Sequence, residues 1–289
     1  MMLDIVGSTQ VWNNMNIQRI AAFVMDGRGG NPAGVVVAAQ LPSEAEMLRI
    51  AHEVGYSETA FAARNADVWE TRYFSPESEV PFCGHATIAL GAALAGEHGD
   101  GTYELALRDG RISVDARIQD GRGYSVLRSP RTRSEAAPGD MIAQALWVFG
   151  YADGDLDRDL PVMLANGGSQ HLIVPLRTRG LLARMSYDLD QGRVFMRRHG
   201  LVTVAFIWRE AERVFHARNA FASGGVLEDP ATGAAAAALA GMLRDHDLLS
   251  DGDLTIYQGE DMGRPSRIDV SFAGPAGSSV SVGGVSARI

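Results

Sequence analysis

Ala86-Thr87-Ile88-Ala89-Leu90-Gly91-Ala92-Ala93-Leu94-Ala95-Gly96 recurs as Ala231-Thr232-Gly233-Ala234-Ala235-Ala236-Ala237-Ala238-Leu239-Ala240-Gly241, identical at eight of eleven positions with an offset of 145. That offset is half of the 289-residue chain, and without a gap it also pairs Ala60-Phe61 with Ala205-Phe206 and Gly55 with Gly200. A period this long marks a duplicated domain, because solenoid units repeat every 20–50 residues or so. Neither copy contains a charge, and a helix without a polar face must be buried. The predicted fold class is therefore α/β (α+β): two similar domains, each a rolled mixed sheet around a central apolar helix, related by an internal pseudo-twofold and facing each other across a cleft.

The flanking segments fill in that frame. Strands are predicted at 17–25, 33–38, 58–63, 69–74, 102–108, 111–118 and 123–128 from runs of β-branched and aromatic residues between turn signals. Ser43 and Glu46 form a capping box for a helix whose apolar face is Met47, Ile50, Ala51 and Val54, with Gly55 ending it. The second half follows in the same order: strand 166–176, helix 188–199, strands 201–208 and 212–218, helix 233–245, then strands 253–258, 267–272 and 279–288. Segment 131–140, with Pro130, Pro138 and Gly139, is the expected connection between domains. The expected domains are 16–129 and 130–278, with the last strand, 279–289, crossing back to the first. Residues 1–15 are an extension, and Met15 is a second possible start.

Composition excludes several classes. The net charge of −9 argues against nucleic acid, which wants a basic surface. No apolar run reaches the roughly 18 residues of a membrane span, and the first residues are too short and acidic for a signal peptide. Lysine is absent, so all 26 basic residues are arginine. This removes Schiff-base chemistry, pyridoxal phosphate included, and a standard phosphate loop at Gly27 to Gly34. The single cysteine, Cys83, rules out an internal disulfide, fits a reducing cytoplasm, and excludes a racemase built on two opposed thiols. The seven histidines show no metal-ligand spacing, so neither metal nor cofactor is expected.

Three segments carry candidate chemistry. Glu58, in Ser57-Glu58-Thr59, enters a buried strand beside Tyr56, Ala60 and Phe61. Burial there is expected to raise its carboxyl pKa and suit it to take and return a proton, although a solvated carboxylate at a strand end is the competing reading. His85, in Cys83-Gly84-His85-Ala86-Thr87, opens the first apolar helix, either as a proton-transfer group or as a cap of its own helix. Cys83 reads as a thiolate base or, more simply, a small buried side chain. Asp229, followed by Pro230, reads as an N-cap with proline at the first helical position. The offset of 145 pairs Asp229 with Gly84, so both helix starts would point their positive ends into one cleft and hold a small anionic substrate.

Asn31-Pro32-Ala33, Ser57-Glu58-Thr59-Ala60-Phe61, Pro81 to Thr87 and Glu228-Asp229-Pro230-Ala231-Thr232-Gly233, in this order, resemble the phenazine biosynthesis isomerase-like (PhzF-like) family, which is similar in fold to diaminopimelate epimerase. The resemblance implies a cofactor-free isomerase site between two domains, a homodimer, and catalytic roles for Glu58, His85 and Asp229. Ser57, Gly84, Ala86, Thr232 and Gly233 are the expected substrate-binding residues. The phenazine enzyme has serine where this chain has Ala234, so the resemblance carries the proton chemistry further than the substrate. The reading is a proton-shifting isomerase of a small carboxylate-bearing, possibly cyclic, metabolite. The alternatives are an epimerase or racemase of an amino-acid-type substrate and a non-catalytic small-molecule-binding member.

Overall fold

In the computed structural model, which describes residues 16–289, the first half of the chain closes on itself. Its elements are β1 (Ile17–Ala22), β2 (Asn31–Ala38), α1 (Glu44–Val54), β3 (Thr59–Asn65), β4 (Val68–Phe74), β5 (Glu79–Val80), α2 (Gly84–His98), β6 (Gly101–Leu107), β7 (Gly110–Gln119) and β8 (Arg122–Arg128). The second half adds β9 (Arg133–Ala136), α3 (Gly139–Val148), β10 (Met163–Asn166), β11 (Gln170–Pro175), α4 (Arg179–Ala183), α5 (Leu189–Arg198), β12 (Thr203–Ala211), β13 (Val214–Ala220), β14 (Glu228–Asp229), α6 (Gly233–Asp245), β15 (Gly252–Gln258), β16 (Ser266–Phe272) and β17 (Ser281–Arg288). The 1–15 extension lies outside the described residues.

Pairing runs β1–β2–β3–β4–β6–β7–β8–β17 and back to β1, a closed ring around α2. Every residue of α2 from His85 to Ala95 is buried inside it. The second half forms the run β9–β10–β11–β12–β13–β15–β16–β17, packed around α6 and open between its ends. β17 is thus common to both, hydrogen-bonded to β8 along one edge and to β16 and then β1 along the other. The two central helices and the inner faces of the strands share one core. A second layer covers the outside: α1 lies on β2, β3 and β4, while α3, α4 and α5 lie on β11, β12 and β13.

The pairing pattern of the first half recurs in the second, but at drifting spacing. Phe61 opposes Arg72 as Phe206 opposes Arg218, and Tyr73 opposes Val80 as Asn219 opposes Asp229. The connection from β13 to β14 is three residues longer than that from β4 to β5, so α6 starts at Gly233, not at the position 145 residues beyond Gly84. Sheet register therefore matches Asp229 with Val80, and the helix starts match His85 with Ala234. The ungapped alignment with Gly84 comes from alanine-rich sequence sliding one helical turn.

Other sequence expectations also shift. β1 stops at Ala22, short of residue 25, because Phe23 takes a left-handed conformation (φ 63°). Its carbonyl accepts from Arg267 N–H and Val24 N–H donates to Val285, each at 2.9 Å, which diverts the chain from β2 to β16 and β17. The strand expected at 166–176 begins only at Gln170, because the chain turns from β10 into β11 at Gly167, packed against α6, and Gly168. The expected connection at 131–140 contains β9, an added strand paired with β10. Helices α3 and α4 had no sequence counterpart. Met141, Ala145 and Leu146 bury one face of α3, while Trp147 remains exposed.

Close approach of β8 to α2 depends on Gly123. A Cβ there would overlap the Ala92 Cβ and lie 2.9 Å from the Ala92 Cα. Gly123→Ala should cost about 1–3 kcal/mol in urea unfolding by overpacking. Adding Ala92→Gly should restore part of that loss, after allowance for the helix propensity it removes.

Candidate functional site

The crossover from β2 through α1 to β3 delivers Glu58. Ser43 Oγ accepts from Glu46 N–H at 3.3 Å to open α1, and Gly55 closes it in the left-handed region (φ 72°). After three more residues the chain re-enters the sheet, where the Glu58 carbonyl accepts from Gly34 N–H at 3.1 Å. Because β2 and β3 are parallel, Asn31 and Glu58 come to the same end of the sheet.

The start of α2 reaches that end too. His85 is buried in its first turn, with Nε2 3.4 Å from Glu58 Oε2 and 3.4 Å from Ser57 Oγ, and Nδ1 3.3 Å from Cys83 Sγ. The helix start is braced from behind. Thr87 Oγ1 donates to the Cys83 carbonyl at 2.7 Å and lies 2.6 Å from the Tyr73 hydroxyl, which burial keeps protonated. Burial also pushes the Cys83 thiol well up, with the Glu58 charge adding to it, which opposes the thiolate-base reading.

Asp229 sits on β14, outside the helix: Thr232 is the N-cap of α6, and its side chain makes no cap bond. This corrects the expectation of an Asp229 cap. The carboxylate instead accepts from Asn31 Nδ2 at 2.9 Å and, through its other oxygen, from Thr232 Oγ1. Gln258 Nε2 donates to the Asp229 carbonyl at 2.7 Å. Its Oε1 accepts from Thr232 N–H at 3.1 Å and from Asn219 Nδ2 at 3.2 Å. On the opposite face of β14, Arg218 forks onto Glu228, with Nε at 3.0 Å and Nη2 at 2.6 Å. Arg72 and Glu79 make the same pair beside β5. Asn219 and Gln258 escaped sequence reading, because polar residues recur along both strands and nothing local sets these two amides apart.

Burial lifts the Asp229 carboxyl to about 6. A charged His85 and the Thr232 and Asn31 hydrogen bonds pull it down, while Glu58 pushes it up. Three ionisable groups from separate segments therefore act on one another.

The starts of α2 and α6 border a cavity of about 670 Å³, with Gly84 and Gly233 at its wall and Phe23, Ile88 and Val282 among its apolar lining. Neither helix has an acid in its first turn or a side-chain cap bond, so its leading N–H groups are left for another partner. The expected contact residues divide. Gly84 and Gly233 line the cavity. Ser57 stands beside His85, and Thr232 is occupied in bracing Asp229. Ala86 is enclosed in the core and is not among the residues that line the cavity. Among the described residues, Glu58, Cys83 and His85 form a trio whose potential metal-ligand atoms lie within 4.8 Å of one another. His171 is a satisfied core histidine between Ser169 and Thr203, lowered by burial to about 3.

Residues 20–289 match the family model described as phenazine biosynthesis-like protein (PhzC-PhzF). The chain belongs to this family. It is 33% identical over 279 residues to an uncharacterized isomerase of Deinococcus radiodurans, covering 93% of this chain and 91% of the relative. It is 30% identical over 260 residues to a trans-2,3-dihydro-3-hydroxyanthranilate isomerase of Pseudomonas chlororaphis, covering 89% and 90%. A PhzF-family phenazine biosynthesis protein of Bacillus anthracis superposes with a TM-score of 0.84 at 24% identity, over 95% of this chain and 97% of that one. A hydroxyproline epimerase from Agrobacterium vitis does so at 0.57 and 13%, over 96% and 90%. The two structures show a shared fold, and the named relatives support an isomerase. Among the described residues no helix is long and apolar enough to cross a membrane.

The Asp229 environment predicts a pH signature. An acid whose folded pKa lies above its unfolded value makes the fold less stable as pH rises through the interval between them. For Asp229 that interval runs from 3.8 to about 6, and the penalty is complete above it. Asp229→Asn should therefore melt higher than the native protein at pH 7.5, by on the order of 1–2 kcal/mol. The difference should close toward pH 4 in thermal melts.

Proposed function

We propose that the protein is an isomerase that moves a proton between carbons of a small carboxylate-bearing, ring-sized substrate, using side chains alone. The observation that carries this reading is the contact of Glu58 Oε2 with His85 Nε2 at 3.4 Å, one residue along the chain from Gly84, which lines a cavity bordered by two uncapped helix starts. The leading N–H groups of α2 and α6 hold the substrate carboxylate. Glu58 takes a proton from carbon, and the electron pair passes into the adjoining unsaturation. His85 and Asp229 hydrogen-bond the part of the substrate where negative charge gathers. Glu58 then returns the proton at another carbon, so nothing is gained or lost overall. Asp229, at about 6, is able to carry a proton near neutrality and serves as the second acid.

An epimerase of an amino-acid-type substrate is the second reading. It is favoured by Asp229, which offers a second carboxyl from the other half of the chain, and by the epimerase fold likeness. The proposal extends to two duplicated domains, diaminopimelate epimerase-like and related by a pseudo-twofold, working as a cytoplasmic homodimer.

The first compound to test is trans-2,3-dihydro-3-hydroxyanthranilate, for which the Pseudomonas relative is named, followed by cyclic and amino carboxylates. With whichever compound turns over, Glu58→Gln should lose about 10²–10⁴-fold in kcat with its melting temperature little changed. Turnover in D₂O should place solvent deuterium in the product. Full activity in Glu58→Gln would remove Glu58 from the proposal.

A further inference from the structure

We propose that Cys83 is a positioning residue that fixes the His85 imidazole as its Nε2–H tautomer, the thiol donating to Nδ1 while Nε2–H points at Glu58. A neutral imidazole carries one N–H, and the partner of one nitrogen decides the state of the other. The sulfur lies 3.3 Å from Nδ1 and 4.0 Å from Nε2, so Nδ1 is the nitrogen it serves. On the far edge of the ring, Nε2 faces Glu58 Oε2 and Ser57 Oγ, each at 3.4 Å. A bare Nε2 would set a lone pair against a carboxylate, whereas Nε2–H gives that carboxylate a donor.

The surroundings of the sulfur point the same way. Burial and the negative neighbours Glu58 and Asp229 keep the thiol protonated, so it has a proton to give. Glu58 is the rival acceptor for the thiol proton. It stands near enough to compete for that proton, but the contact that meets hydrogen-bond geometry is the one to Nδ1, at 3.3 Å. Cys83 is itself held still, because its carbonyl takes the Thr87 hydroxyl and the Thr87 N–H. In this arrangement His85 presents a neutral N–H toward Glu58 and the substrate. The use of that N–H in catalysis rests on the isomerase reading; the tautomer does not.

The test needs no substrate. In the full-length protein labelled with ¹⁵N-histidine, two-bond ¹H–¹⁵N correlation at a pH where the ring is neutral separates protonated from bare ring nitrogens. His85→Gln identifies the signals. The native protein should show His85 with Nε2 protonated and Nδ1 bare. Cys83→Ser, which keeps a donor of different strength, should preserve that pattern and move the Nδ1 resonance. Cys83→Ala should bring the two nitrogen signals together or invert them, as the tautomers mix or switch. An Nδ1–H pattern in the native protein would overturn the proposal. So would a Cys83→Ala spectrum identical to the native one, or an Nδ1 resonance unmoved in Cys83→Ser. That last comparison decides the matter if Cys83→Ala does not fold. Because Glu58→Gln is judged by turnover and Cys83 by ring nitrogen signals, either proposal can fail while the other stands.

Discussion

Two helices that lack a polar face set the terms for the rest of the molecule. Between His85 and Ala95, α2 presents only small or apolar residues plus one threonine and one histidine, and α6 is as apolar from Ala235 to Leu243. Such helices are stable only when enclosed, and strands wrap both of them. Enclosure satisfies the side chains but leaves each helix its unpaired leading N–H groups. Those groups must meet water or a ligand, so both helix starts border the same hollow. The position of the candidate site is in this sense a consequence of packing.

Holding the helix starts in place takes polar atoms, and they are supplied in matched pairs. In one half, the Tyr73 hydroxyl meets Thr87, which in turn bonds to Cys83. In the other, Asn219 bonds to Gln258, which takes the Thr232 N–H. Outside each short strand that leads into a helix, a forked arginine–glutamate pair grips the strand: Arg72 with Glu79 and Arg218 with Glu228. The second pair is the more enclosed, with side chains 11% and 6% exposed, and loss of one partner there would strand a buried charge beside Asp229.

Much of this was legible in the residues because it follows from local patterns. Small-residue helices, a Ser43 cap and β-branched runs each bind a short stretch of chain to one conformation. What escaped depends on long-range contact. Phe23 looks like strand until the hydrogen bonds to Arg267 and Val285 redirect its backbone. Asn219 and Gln258 look like ordinary strand positions until Asp229 arrives from another element. The carboxyl that burial lifts is that of Asp229, whose neighbour Pro230 suggested a plain cap. The repeat itself was visible, but alanine-rich sequence carries too little information to fix its register. Only the sheet pairings show that the helix starts differ by one turn from the ungapped match.

With that register, the matched positions of the two halves are chemically unlike at each of the three places. The counterpart of Glu58 is Thr203, whose hydroxyl is tied to His171 at 2.8 Å. The counterpart of His85 is Ala234, and that of Asp229 is Val80. Neither half holds the full set: the first contributes a carboxylate and an imidazole, the second a carboxyl raised by burial. A symmetric pair of sites would have packed like charges against one another, and each would have suppressed ionisation of the other. Dividing unlike groups between matched positions avoids that conflict and makes the site depend on both halves being present. The two halves thus supply two uncapped helix starts, and their unlike residues supply acid–base groups of different kinds beside them.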